Sequence, residues 1–202
     1  MASQWQVGIT GGIGAGKSTI TQVFDTIGIP IYHADVEARR LMEEDSALIT
    51  DIKALLGDSA YLPDGKLDRS YVSKQIFGNH TLLMRLNGLV HPCVHEDSLK
   101  WHGQQRDAPY TLREAALIFE SGSYLELHAV IHVSAPLELR VQRVMARDQV
   151  NKSEVMERVK HQWPEERRLM LADFVINNEG TSSLISQVLH IHRSLVGQME
   201  NG

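Results

Sequence analysis

The sequence predicts an α/β fold: a five-stranded parallel sheet flanked by helices, with a helical insertion and a small lid. Three observations predict it. Short apolar runs alternate with helical segments, the pattern of a parallel sheet covered on both faces. A glycine-rich loop closes the first of those runs and opens a helix. The block from 61 to 103 opens on a turn and reads as helix from Arg69 on, with no strand alternating, which marks it as an insertion and not another strand–helix repeat.

Along the chain, Val7 to Thr10 reads as a short buried strand, and Lys17 to Ile27 as a helix stopped by Gly28. Ile29 to Tyr32 is the second run. Asp35 follows it where a strand gives way to a helix, the place where open parallel sheets carry site residues. Val36 to Leu56 is a long helical stretch, and Pro63-Asp64-Gly65 is a turn. Arg69 to Gly103 reads as helix, with interruptions expected at Gly78 and Pro92. Tyr110 to Phe119 is the third strand, with a centre (Ala115 to Ile118) apolar enough for burial on both faces. Ala129 to Val133 is the fourth strand and Phe174 to Ile176 the fifth. Between them lie a helix from Pro136 to Arg147, with Pro near its first turn, and a polar segment from Asp148 to Arg168. Ser182 to Met199 is the closing helix. This assigns 1–60 and 104–202 to a nucleotide-binding core, 147–170 to its lid and 61–103 to the insertion.

The 202 residues suffice for one such domain with small insertions. With 43% hydrophobic and 22% charged residues the composition is that of an ordinary globular protein, and a net charge of −5 argues against a nucleic-acid partner. The one cysteine, Cys93, forms no internal disulfide and reads as a packing residue. No secretory pattern and no run of membrane-spanning length is read, so the cytoplasm is the expected location, without a membrane partner. A monomer and a small homo-oligomer are equally compatible with the sequence.

Gly11-Gly12-Ile13-Gly14-Ala15-Gly16-Lys17-Ser18 fits G-x-x-x-x-G-K-[ST] in full, between a strand and a helix. Glycines permit backbone angles that aim consecutive N–H groups at phosphates, and the helix adds its positive end. Lys17 is placed to reach the β- and γ-phosphates, and the Ser18 hydroxyl to hold Mg²⁺. Gly12, Ile13, Gly14, Ala15, Gly16, Lys17, Ser18 and Thr19 are thus the candidate ATP-binding residues; Thr19 either touches the α-phosphate or is simply polar in the first helical turn. A GTPase would need N-K-x-D after a strand. Asn151-Lys152-Ser153-Glu154 ends in Glu and follows a helix, so it reads as a loop with Ser153 capping the next helix. A small-molecule kinase needs a carboxylate to take a hydroxyl proton and an arginine-bearing lid. Asp35 is the candidate carboxylate. Arg140, Arg143 and Arg147 share one helix side. Arg140 reads as part of a solvated face and Arg147, where the helix runs out, as the lid arginine.

These residues resemble the dephospho-CoA kinases. The resemblance covers the opening Gly8 to Thr19, Tyr32-His33-Ala34-Asp35 with Ala38-Arg39, Leu89-Val90-His91-Pro92, Leu117-Ile118-Phe119-Glu120, and the series Gln142-Arg143, Arg147-Asp148, Gln162, Ala172-Asp173 and Asn177. It implies that ATP phosphorylates the ribose 3′-hydroxyl of dephospho-CoA, in a core, a helical acceptor-binding part and a lid. It also implies Asp35 as base, Arg147 over the phosphates, Arg143 on the acceptor side, Glu120 orienting the acceptor or the metal's water shell, and His91 either on the acceptor side or a structural histidine ending a helix before Pro92. Asn177 either reads the adenine edge or caps a loop. His33 stands where the family has the first Asp of its D-A-D motif, and Ala116 where it has Pro. A kinase for another small acceptor, and a nucleotide-sensing module without turnover, are the competing readings.

Overall fold

The computed structural model describes residues 4–201, which form two compact units: one from the N-terminal segment up to Tyr32 together with Gln104 onward, the other from His33 to Gly103. In the first, β1 (Trp5–Gly11), β2 (Ile31–His33), β3 (Tyr110–Glu114), β4 (Ala129–Ser134) and β5 (Phe174–Asn177) form a five-stranded sheet in the order β2-β3-β1-β4-β5. β1 pairs in parallel with β3 (Val7 opposite Leu112) and with β4 (Ile9 opposite Ile131). The chain leaves β1 for neighbours on one side and later fills the other side, so strand order reverses at β1. That is the switch point where parallel sheets open a crevice for ligands.

Burial on both faces explains the apolar strands. Val7, Ile9, Ile131 and Val133 pack with Ile20 and Phe24 of α1 (Lys17–Thr26) and with Val188, Ile191 and Leu195 of α9 (Leu184–Asn201). Val130 points to the opposite face, as strand alternation requires, and packs with Ile118, Phe119 and Trp163. A third cluster joins Val141 and Val144 of α6 (Leu137–Asp148) to Val155 of α7 (Lys152–Lys160). Asn151, not Ser153, caps α7: its side chain accepts from the Glu154 N–H.

The third strand is shorter than the sequence predicts. It ends at Glu114, and Ala115 to Gly122 turns away from the sheet, held by Ser121 N–H to Leu117 O and Gly122 N–H to Phe119 O. Ile118 and Phe119 are fully buried in that turn. An apolar run reports burial, and a buried turn satisfies it as well as a strand does.

In the second unit, the single helical stretch expected from Val36 is two helices, α2 (Ala34–Glu44) and α3 (Ser46–Leu56). Asp45 separates them by accepting from the Ala47 and Leu48 N–H groups, both at 3.0 Å, a capping geometry incompatible with helix interior. Next come α4 (Arg69–Ile76) and α5 (His80–His102). The break near Gly78 occurs, but Pro92 does not interrupt α5. The stripe Leu86, Val90, Val94 and Ser98 is buried while Pro92 faces solvent. Water can therefore reach the carbonyl that proline leaves unbonded, and packing offsets a cost of about 3 kcal/mol. The Arg40 guanidinium joins α2 to α5 through Asp97 at 2.9 Å, and the Tyr61 hydroxyl donates to Met42 O at 2.7 Å. These ties explain why residues 33–60 fall with this unit, whereas the sequence reading grouped them with the core.

Candidate active site

The loop between β1 and α1 is shaped by two left-handed glycines, Gly14 at φ 77° and Gly16 at φ 93°. Ala15 N–H closes a turn onto Gly12 O at 2.9 Å, and the first helical bond is Thr19 N–H to Gly16 O at 3.1 Å. The amides of Lys17 and Ser18 precede any intrahelical acceptor, as at every helix start, and the dipole favours an anion there. The Lys17 ammonium donates to Gly11 O at 3.2 Å, which keeps the charge folded over its own loop. Ser18 and Thr19 are exposed in the first turn of α1.

Three side chains from distant parts of the chain crowd this loop. Asn178 Nδ2 donates to Ala15 O at 2.8 Å, and a Cβ on Gly16 would lie 2.2 Å from the same nitrogen. Arg143 Nη2 donates to Asn178 O at 3.1 Å. Arg140 lies against Gly12, where a Cβ would come within 1.7 Å of Nη1. Glycine is demanded most strictly at 14, where φ is left-handed and a Cβ would meet the Arg140 carbonyl; at 16 the left-handed backbone favours it, and at 12 and 16 a Cβ would press on the ends of the Arg140 and Asn178 side chains. Arg140 is not on a solvated face: it is 5% exposed, because its side of α6 turns toward the loop. Its Nε and Nη1, and Arg143 Nη1, are buried without a hydrogen-bond partner. Guanidinium donors left open beside an anion-binding loop fit a polyanionic ligand.

Behind Arg140 lies a charged cluster that the sequence reading missed. Glu165 Oε1 accepts from Ser134 Oγ at 2.8 Å and meets His132 Nε2 at 2.9 Å, while Oε2 accepts from Arg168 Nη2 at 2.6 Å. His132 and Arg168 are buried, and Glu165 opens α8 (Glu165–Leu171). A cavity of about 310 Å³ runs alongside, lined by Ser134, Pro136, Arg140, Glu165, Asn177 and Glu179 among others. Burial opposes the charge on Glu165, but hydrogen bonds from His132 and Ser134, with the charges of His132 and Arg168, hold its carboxyl at about 2. Burial lowers Arg140, the Glu165 charge works against that, and Arg168 adds to it. Glu165 is thus bonded to Arg168 and acts on Arg140 through charge, as Glu138 also does, so the two guanidiniums are set among carboxylates beside the phosphate loop.

A stability prediction follows. Glu165→Gln leaves Arg168 without its counter-charge and should cost about 3 kcal/mol at pH 7. Because the folded-state value is depressed, the wild-type advantage is complete above the unfolded carboxylate value of about 4.3 and disappears as pH falls toward 2. Denaturant unfolding at pH 7 and pH 3 should show the gap between the two proteins narrowing. A constant gap would mean that Glu165 acts through shape and not through charge.

The other sequence-predicted residues are distributed unevenly. Asn177 exchanges two hydrogen bonds with the Gln187 side chain through its backbone and is among the residues lining the cavity; its neighbour Asn178 is the one that touches the loop. Glu120 Oε1 accepts from Trp163 N–H at 2.7 Å, and its Oε2 is buried without a partner. Arg147 does not reach the loop. It is 64% exposed and forms a two-point pair with Asp148, which also receives Arg158. The hydrogen bond from Arg147, with that from Arg158, holds the Asp148 carboxyl at about 2 despite an opposing desolvation. In the second unit, Asp35 is exposed as the second residue of α2, and His91 is exposed on α5. Cys93 is half-buried and bonded to Leu89 O, with burial raising its thiol. Among the described residues no cluster of three metal-ligating side chains occurs, and no helix is long and apolar enough to cross a membrane.

A family model described as dephospho-CoA kinase matches residues 5–183. A dephospho-CoA kinase of Salinibacter ruber is 37% identical over 177 residues, covering 87% of this chain and 89% of the relative. One from Bacteroides fragilis is 33% identical over 186 residues, covering 92% of this chain and 90% of the relative. Among solved structures, a protein of Thermus thermophilus superposes with a TM-score of 0.82 at 34% identity, covering 94% of this chain and 96% of its own.

Proposed function

This chain belongs to the dephospho-CoA kinase family, and on that premise we infer that it transfers the γ-phosphoryl group of ATP to the ribose 3′-hydroxyl of dephospho-CoA, giving coenzyme A and ADP. The observation that carries the inference is the glycine loop at the sheet's switch point, bordered by buried guanidinium donors with no protein acceptor. Such a site holds a polyphosphate and stabilises charge as it moves onto the leaving oxygen.

The roles divide by chemistry. Backbone amides of the loop and of the first turn of α1 bind the phosphates, with Thr19 beside them. Lys17 bridges the transferring and leaving groups. Arg140 and Arg143 add positive charge from α6, Arg143 lying by the loop and so serving the phosphates in place of the acceptor side expected for it, and Arg147 joins them when the lid charges rearrange around nucleotide. Asp35, at the head of α2, takes the proton of the attacking hydroxyl. His91 and the second unit belong to the acceptor, and Glu120 orients water or acceptor near the loop. Asn177 borders the nucleoside side. Ser18 fits Mg²⁺: an exposed hydroxyl at the loop is one hard oxygen ligand, and this ion completes its shell with phosphates and water. Held there with ATP, such an ion would offset negative charge on the phosphates.

Incubation with Mg-ATP and dephospho-CoA, followed by detection of coenzyme A and ADP, tests the inference. ADP release that is indifferent to dephospho-CoA, with turnover on another hydroxyl acceptor, would reassign the substrate.

A further inference from the structure

The tip of the phosphate loop is hydrogen-bonded to a residue of the lid segment. Ile13 N–H donates to Gln162 Oε1 at 2.8 Å. Gln162 Nε2 donates to Ala116 O at 3.1 Å and, more weakly, to Gly11 O at 3.4 Å. The side-chain amide is used at both ends, and two of its three partners flank Gly12 within the loop itself.

Gln162 is not a residue that swings freely. It ends the turn after α7, where its own N–H donates to Val159 O at 3.0 Å. The next residue is anchored twice over. Trp163 N–H donates to Glu120 Oε1, and the Arg167 guanidinium lies 3.3 Å above the Trp163 ring. That ring packs against the Ile118–Phe119 cluster under the sheet. The strap from α7 to α8 is therefore fixed to the core at the point where Gln162 reaches the loop.

An amide oxygen that accepts the Ile13 N–H turns the Gly12–Ile13 peptide outward, away from the phosphates. The Ala15 N–H is likewise used, on Gly12 O. What remains to form the anion nest is the backbone at Gly14, at Gly16 and in the first turn of α1. We propose that Gln162 is a positioning residue for phosphoryl transfer: it holds the Gly12–Ile13 peptide in one orientation, so that the nest is preformed before nucleotide arrives, and it ties the end of the lid to the loop. Preformed donors need no reorganisation when charge develops on the transferring group. The role in transfer rests on the kinase reading; the effect on the nest does not, and it is measured without acceptor.

The test uses the full chain with Gln162→Ala and Gln162→Glu. Glutamate retains an acceptor for Ile13 N–H but sets an anion against two carbonyl oxygens. Amide hydrogen exchange at Ile13 should accelerate in Gln162→Ala and stay near wild type in Gln162→Glu. Binding of a fluorescent ATP analogue, with no acceptor present, should weaken about ten- to a hundredfold in Gln162→Ala, the scale of losing one or two hydrogen bonds. KM for ATP should follow, and KM for dephospho-CoA should not move. A folded Gln162→Ala with wild-type Ile13 exchange and nucleotide affinity would overturn the proposal, as would a loss confined to the acceptor. If Gln162→Ala does not fold, Gln162→Glu decides by the two readouts together: accelerated Ile13 exchange with nucleotide affinity unchanged overturns it. A wild-type protein inactive on dephospho-CoA would instead remove the substrate assignment and leave the nest measurement intact.

Discussion

Asp35→Asn should lower turnover about a hundred- to ten-thousandfold, the range that a positioned general base contributes. Asparagine preserves size and polarity but cannot take the proton of an attacking ribose hydroxyl. Asp35 is exposed in the first turn of α2, so the substitution removes no buried partner, and the unfolding midpoint should stay close to wild type. ATP affinity should also stay near wild type, because the proposed phosphate contacts are the loop amides and Lys17, not Asp35. Single-turnover kinetics beside equilibrium nucleotide binding separates these quantities. Wild-type turnover in Asp35→Asn would take the base role away from this residue, and the family's other motif carboxylate is no substitute because position 33 is His33.

Lys17→Met should cost about a hundred- to a thousandfold in kcat, in line with losing one preorganised donor to developing charge, and should weaken nucleotide binding as well. The ammonium lies against Gly11 O, at the mouth of the loop where the proposed phosphates would sit. Methionine keeps the length of the side chain and deletes the charge. The distinguishing result is the combined loss: Lys17→Met should raise KM for ATP and depress kcat together, whereas Asp35→Asn depresses kcat alone. If Lys17→Met altered only KM, the residue would be a ground-state anchor and not a stabiliser of the transferring group.

The strands, the loop and most helix limits were legible because each is written in adjacent residues. Lys17 to Thr26 is helical where a glycine loop precedes it and Gly28 follows, and β1, β4 and β5 differ from their expected limits by one or two residues. The misses share a cause. The local rule for proline predicts an interruption at Pro92, whereas buried Leu86, Val90 and Val94 keep the helix intact through packing. Ala115 to Ile118 was read as strand because apolar periodicity cannot tell a buried strand from a buried turn. Arg140 was read as solvated because arginine on a helix usually is, and only the fold shows that its side of α6 meets the phosphate loop.

By itself the sequence determined that this protein carries a phosphate-loop motif at the first strand–helix junction and belongs with a particular group of kinases, because such a loop needs only eight neighbouring residues and a motif series survives in linear order. Only the tertiary structure decided which side chains surround that loop. Gln162 meets Ile13 across 149 residues and Asn178 meets Ala15 across 163, while Arg147, the residue that position along the helix favoured, turns away to its neighbour Asp148. Contacts of that range depend on how the sheet brings its carboxyl ends together, and no local pattern of charge or hydrophobicity encodes them.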